Sequence, residues 1–349
     1  MRIMQHWAAA LGLALASAAT AQTPASLEQL AVYNGPDREQ ILIEGARKEG
    51  SLTFYTSFAQ KDLPPIVSAF EEKYGIKINV WRAGSDKVVQ RTLTEASGGR
   101  HEVDAIHVGA PELEALHLEK ILQPVDTPAT KKLIRGIAPA HREWAPTRLA
   151  AFVQAYNTDQ ISKEQLPKSW HELAKPEWKG KLGVEFTDDE WFYTLMQELG
   201  EEEGLALFRK IVSENGLSVR KGHSLLANLV VSGEVPMGLT VYSYMAQTLK
   251  EKGAPIDWIA IEPVIARANG IAVAKQAPHP HAALLFYDFL LSAQAQKLLA
   301  AMHYLPVHAD EPSPMKGISL RVSTPLMIPA EAQKWQALYR DVISGTPGN

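Results

Sequence analysis

Cysteine is missing from all 349 residues. That excludes disulfides, thiolate metal sites and cysteine nucleophiles together, and it is compatible with an oxidising compartment. An excess of positive charge is missing too. The formal net charge is −4, so bulk electrostatics offers no draw toward nucleic acid or an anionic membrane. Internal repeats and low-complexity tracts are absent. Beyond the first residues there is no apolar run of about 18, the length that marks a membrane helix. The signatures H-E-x-x-H, G-x-S-x-G, G-x-x-x-x-G-K and G-x-G-x-x-G do not occur. His279-Pro280-His281 lies in a proline-rich turn and lacks the i,i+4 spacing of a chelating pair. These absences favour a protein that binds without catalysing; a hinge-closing enzyme is the rival class.

What is present starts with an address. Residues 1–21 carry Arg2, an apolar run at 8–16 and the small-residue ending Ala19-Thr20-Ala21. This matches a secretory signal cleaved near Ala21-Gln22. With no cysteine there to take a lipid, the mature protein is expected to be free, soluble and monomeric in the periplasm.

The length suffices for two domains. From 37 to 118 the hydrophobic periodicity alternates between helix and strand. Strands are expected at 51–55, 76–81 and 103–108, and helices at 37–48, 63–74, 86–97 and 111–118. A β-α-β-α-β-α series implies parallel strands with right-handed crossovers. The strand exits, Thr56-Ser57 and 82–85, then share one edge. Hydroxyls, free N–H groups and helix N-termini there suit a polar or anionic ligand. Tyr55, Ser57, Arg82 and Ser85 are the candidates, although Ser85 reads first as a helix N-cap.

A second α/β series follows: strands at 183–186, 217–220, 235–241 and 257–261, and helices at 187–199, 201–213, 224–232 and 245–252. The segments 149–156 and 270–274 read as outward and return crossings between two lobes, and 329–343 as a final helix. Two extended crossings make a hinge, because few residues must change φ and ψ. The expected division is 22–152 plus 272–325 for lobe 1 and 153–271 plus 326–349 for lobe 2. The apolar strand at 235–241 runs into Tyr242-Ser243-Tyr244. Ligands of α/β proteins sit in the crevice beyond strand ends, so these phenols are candidates. On an extended segment i and i+2 share a face; on a helix they do not. Glu190 and Tyr193 would add oxygen ligands, the set that hard ferric iron favours. Asp188-Asp189-Glu190 also suits a helix start, through the macrodipole. His223, before the helix at 224–232, and Asn269 would instead serve an organic anion.

The ordered set Gly50-Ser51-Leu52-Thr53-Phe54-Tyr55-Thr56-Ser57, Phe70-Glu71-Glu72-Lys73-Tyr74-Gly75, Arg82-Ala83-Gly84-Ser85, Tyr156-Asn157-Thr158, Trp170-His171-Glu172-Leu173, Pro176-Glu177-Trp178-Lys179-Gly180-Lys181, Gly233-Glu234-Val235-Pro236 and Asn269-Gly270-Ile271-Ala272-Val273 resembles the extracellular solute-binding proteins of ABC importers, in the branch that includes ferric-iron-binding proteins. The resemblance covers nearly all the mature chain. It implies two α/β lobes of the type II-like periplasmic binding fold, each a mostly parallel sheet flanked by helices, and a ligand trapped between them for an inner-membrane permease. In ferric-binding members two adjacent tyrosines sit at about Tyr242-Ser243-Tyr244; here a serine separates them. Their first-lobe acidic or histidine ligands have no clear match, since the exit after Tyr55 offers Thr56, Ser57 and Gln60. The resemblance implies Tyr242 and Tyr244 as metal ligands, to which the oxygen-ligand chemistry adds Glu190, with Fe(III) as cargo and no cofactor. A phosphonate, a sugar phosphate or another small organic anion is the alternative ligand.

Overall fold

The computed structural model describes residues 26–323, 325 and 329–345. The expected signal segment and its cleavage point lie outside them. Two short helices lead in, α1 (Leu27–Val32) and α2 (Arg38–Glu49), followed by β1 (Ser51–Thr56), α3 (Leu63–Tyr74), β2 (Lys77–Arg82), α4 (Ser85–Ser97), β3 (Ala105–Gly109) and α5 (Ala110–Leu118). Gly50 and Gly75 end α2 and α3 at φ of 79° and 74°, left-handed values that glycine adopts without Cβ strain. β1 pairs in parallel with β2 on one side and β3 on the other.

The chain then crosses on β4 (Ala145–Asn157), buried along its whole length. Beyond it come β5 (Leu182–Glu185), α6 (Asp189–Leu199), α7 (Glu201–Asn215), β6 (Ser218–Arg220), α8 (His223–Ser232), β7 (Met237–Tyr242), α9 (Ser243–Glu251) and β8 (Ile256–Ile259). It returns on β9 (Val264–Val273) and finishes with α10 (Pro280–Leu291), α11 (Ala293–Ala301), β10 (Leu305–Pro306), β11 (Leu320–Val322) and α12 (Pro329–Ser344).

The strands form one continuous path in the order β2-β1-β3-β9-β4-β7-β5-β6. β5 is parallel to β6 and β7, whereas β4 and β9 run antiparallel to each other and to their neighbours β7 and β3. The sheet is therefore mixed, parallel in each half and antiparallel where the halves join. Both crossings are longer than their apolar patterns predict. Pro146 and Arg148 interrupt the first pattern and Arg267 and Asn269 the second, yet all four lie within paired strand. Tertiary pairing overrides local hydropathy there. Similarly, β11 lies inside the segment 310–323, which reads as loop from its sequence.

Three buried apolar clusters pack against the sheet, and the two larger ones flank the crossings. In one, Phe54 and Phe70 meet Phe286 edge-on at 4.8 and 5.1 Å between ring centres. In the other, Phe192 packs between Phe208 at 5.5 Å and Tyr339 of α12 at 5.2 Å. With these cores joined by β4 and β9, the C-terminal ends of β1, β2, β3, β5, β6 and β7 face the junction. Crevices of this kind hold ligands in open α/β sheets.

Candidate functional site at the lobe junction

Tyr242 is the last residue of β7 and Ser243 opens α9. The strand thus ends before Tyr244, and strand alternation cannot align the two phenols. They are aligned nonetheless: their rings stack at 5.7 Å between centres with planes 17° apart. The turn into the helix brings Tyr244 back over Tyr242. On its other side Tyr242 stacks on His223 at 4.3 Å and 24°, and it touches Phe152 of β4 at 4.8 Å.

Ionisable groups surround this stack. Arg267 of β9 donates from Nη1 to the Tyr242 hydroxyl at 3.2 Å and from Nε to Glu190 Oε2 at 3.1 Å. His223 Nε2 lies 3.0 Å from Asp188 Oδ1. Asp188 is fully buried, and its Oδ2 has no hydrogen-bond partner among the described residues, nor does Ser243 Oγ. Buried polar atoms left this way are unusual and point to a missing partner. Glu185 organises the surrounding turns: its Oε1 accepts from Gly222 N at 2.8 Å and its Oε2 from Thr187 Oγ1 at 2.7 Å. Ligand atoms of Glu185, Asp188 and His223 all lie within 4.8 Å of one another.

The electrostatics follow from burial. Desolvation pushes the Tyr242 hydroxyl up despite the opposing Arg267 charge, and it pushes Tyr244 up as well, against Arg148. Burial raises Glu190, with Arg267 opposing. Asp189 is raised by the same cause. From the first-lobe side, Glu112 in the opening turn of α5 is raised by burial, opposed by Arg267 and reinforced by Asp86. Burial works against the Arg267 charge, but Tyr242, Glu190, Asp188 and Glu112 more than offset it and raise its pKa. Four carboxylates, Glu112, Asp188, Asp189 and Glu190, and the Tyr242 phenol thus gather around Arg267.

A second group adjoins the first. Tyr244 meets Tyr304 at 4.7 Å, and the Tyr304 hydroxyl donates to Asp62 Oδ2 at 2.7 Å. The Arg148 guanidinium lies 3.9 Å from the Tyr304 ring centre and 4.9 Å from that of Phe58. Arg148 is buried, its Nε has no partner, and no carboxylate pairs with it among the described residues. Phe58 in turn stacks on His107 at 4.0 Å. Burial holds the His107 imidazole well below its ordinary value, Arg148 adding to the effect.

Of the residues singled out from sequence, Glu190, His223, Tyr242 and Tyr244 come together. Asn269 lies two residues from Arg267 on β9, hence on the same strand face. Ser57 and Arg82 lie beside Phe58: the Ser57 N–H donates to His107 O at 3.0 Å and Arg82 Nε to Phe58 O at 3.0 Å. Ser85 is the first residue of α4, with Gly84 rather than Ser85 as its N-cap. Tyr55 and Tyr193 do not join the group. The Tyr55 hydroxyl donates to Glu95 Oε2 at 2.9 Å beneath the Arg91 guanidinium, facing α4. Tyr193 packs edge-on against Trp335 of α12 at 4.9 Å. Sequence reasoning missed Arg267, Arg148, Glu112 and Tyr304 and gave Asp188 only a helix-start role. A lone arginine inside an apolar strand, as in 264–273, is the signal that was available.

Two α/β halves joined by paired crossings, with aromatic and ionisable side chains meeting at the junction, define a two-lobed binding protein. Residues 66–316 match the bacterial extracellular solute-binding protein family, and the chain belongs to that family. It is 25% identical over 317 residues to the iron uptake protein A1 of Synechocystis sp., spanning 85% of this chain and 86% of that one. It is 26% identical over 301 residues to the major ferric iron-binding protein of Neisseria meningitidis, spanning 82% and 83%. Iron-bound HitA from Pseudomonas aeruginosa superposes with a TM-score of 0.69 at 24% identity, covering 84% of this chain and 99% of that one. The Trichodesmium protein IdiA (FutA), solved with iron and citrate, gives 0.67 at 20% identity over 85% and 98%. These structural likenesses establish the two-lobed periplasmic binding-protein fold. Among the described residues no helix is long and apolar enough to cross a membrane.

Proposed function

We propose that the chain is the periplasmic solute-binding component of an ABC importer and that it captures ferric iron, or a small iron–anion complex, between its lobes. It acts by binding rather than by catalysis, as a monomer that presents its cargo to an inner-membrane permease. The lobes divide near 152/153 and 271/272, so that β4 and β9 carry the hinge. The observation that carries the iron reading is the near-parallel pair Tyr242 and Tyr244, set against the buried carboxylates of Asp188 and Glu190. Phenolate and carboxylate oxygens are the ligands a hard trivalent cation prefers. The cation offsets carboxylates whose ionised form burial disfavours, and its field lowers the phenol pKa that burial has raised.

Tyr242, Tyr244 and Glu190 are the proposed ligands, with His223, Asp188 and Glu112 adjacent. Names of relatives support the same cargo: two of the proteins similar to this chain are called iron-uptake or ferric iron-binding proteins. Closure follows from contacts made to both lobes at once, because only contacts that differ between open and closed states shift the population.

One observation favours a second ligand class. Arg148 is a buried guanidinium whose Nε has no partner among the described residues, a setting that suits a phosphonate, a sugar phosphate or another small organic anion. Native mass spectrometry of the purified mature protein, with metal analysis of the same sample, tests both readings. Iron at one equivalent supports the first. A metal-free protein that stays colourless after ferric citrate, yet is thermally stabilised by a phosphonate or sugar phosphate, overturns it in favour of the second.

A further inference from the structure

Away from the cleft, α5 and the segment entering β4 bring two histidines and two glutamates together. The imidazoles of His117 and His141 lie face to face, 3.8 Å apart with planes 12° from parallel. His117 Nδ1 is 2.9 Å from Glu143 Oε2, and His141 Nε2 is 3.1 Å from Glu114 Oε1. Ligand atoms of Glu114, His117 and His141 all fall within 4.8 Å of one another. The His117 Nδ1 and Glu143 Oε2 atoms are buried and not aligned as a hydrogen bond, and neither has another partner among the described residues. Trp144 Nε1 donates to Glu114 Oε1 at 2.9 Å. Metal-ligating side chains are commonly steadied by such outer hydrogen bonds.

We propose that this quartet binds one divalent transition-metal ion of the Zn2+ class, through His117, His141 and Glu114, with Glu143 as the fourth ligand. Two imidazoles and two carboxylates form the mixed nitrogen and oxygen set such ions accept. Mg2+ and Ca2+ demand oxygen ligands throughout and are excluded by the histidines. Binding requires a rearrangement whose chemistry is defined. The Glu143 N–H now donates to His141 Nδ1 at 3.1 Å, so the ring proton sits on Nε2. A metal at Nε2 moves that proton to Nδ1 and displaces the backbone hydrogen bond, while the two rings turn out of their parallel stack to aim at one point. The ion would tie α5, whose first turn carries Glu112 at the cleft, to the root of the crossing strand β4. The proposal does not rest on the iron reading.

The full mature protein is titrated with zinc chloride, followed by thermal shift, and with cobalt chloride, followed by visible ligand-field absorption. One equivalent of Co2+ is expected to develop a band that Zn2+ abolishes. Binding should persist in Tyr242→Phe and weaken about tenfold or more in His117→Gln and in His141→Gln. Absence of both the band and the Zn2+ shift at submillimolar metal overturns the proposal. So does binding that survives both histidine variants, or binding lost in Tyr242→Phe, which would put the ion in the cleft. Should the histidine variants fail to fold, imidazole 15N shifts of the wild-type protein decide. Zn2+ must convert His141 from the Nε2-protonated to the Nδ1-protonated tautomer, and unchanged shifts refute the site.

Discussion

Arg267 donates from Nη1 to the hydroxyl oxygen of Tyr242 at 3.2 Å, reaching from a strand that joins the lobes to the end of a strand in the second lobe. The same guanidinium holds Glu190. One side chain therefore holds both a proposed phenol ligand and a proposed carboxylate ligand to β9. Arg267→Gln should lower stability by about 1–3 kcal/mol, because it leaves a buried carboxylate without its cation. The partial exposure of Arg267 keeps the figure well below that of a fully buried pair. Denaturant unfolding at neutral pH measures it.

Glu112 should behave as a residue kept for binding at the expense of stability. Burial raises its pKa. A carboxylate raised in the folded state stabilises the fold below its unfolded pKa and loses that contribution as pH rises through the folded one. Glu112→Gln should therefore raise the melting temperature of ligand-free protein at pH 7.5, and the gain should fade below about pH 4.5. The same variant should weaken ferric binding. A melting temperature unchanged or lowered at pH 7.5 contradicts the assignment.

Cargo affinity should fall on acidification. Glu112, Asp189, Glu190, Tyr242 and Tyr244 all bind protons more tightly than free side chains do, with burial as the leading cause. A cation must displace protons from those of them that become ligands. Citrate competition between pH 7.5 and 5.5 should show iron released progressively toward the acid end. An affinity flat across that range means that no group of raised pKa is a ligand.

Tyr55 separates cleft from scaffold. Its hydroxyl donates to buried Glu95 on the side facing α4. Tyr55→Phe should destabilise the protein by about 1–2 kcal/mol and leave cargo affinity unchanged. A loss of affinity matching that of Tyr242→Phe would return Tyr55 to the site.

The two-lobed plan was legible because apolar periodicity and glycine stops mark most of the helices and strands, from the β-α alternation at 51–118 to the strand before Tyr242. The crossings were legible only in part. Arg148, Arg267 and Asn269 interrupt the apolar pattern at the positions where the strands pass the cleft, so the sequence-read strands began short. The site followed the same logic. Tyr242 was visible as a strand end, and Glu190 and His223 as helix starts. Glu112 looks like any acid in a first turn, and only its placement opposite Arg267 distinguishes it. Tyr304 and Tyr242 are 62 residues apart in sequence, and Tyr244 joins them only through packing. The alignment of Tyr242 with Tyr244 was also beyond pattern reasoning. It depends on a turn into α9, not on strand alternation.

Tyr242 and Tyr244 are both proposed to coordinate ferric iron. The visible phenolate-to-iron charge-transfer band of ferric-loaded protein tests it most directly, measured in the wild type, Tyr242→Phe and Tyr244→Phe at equal iron content. A band is expected in the wild type, a shifted and weaker band in each single variant, and none in the double variant. A wild-type protein that holds iron without the band, or a band untouched by either substitution, contradicts it.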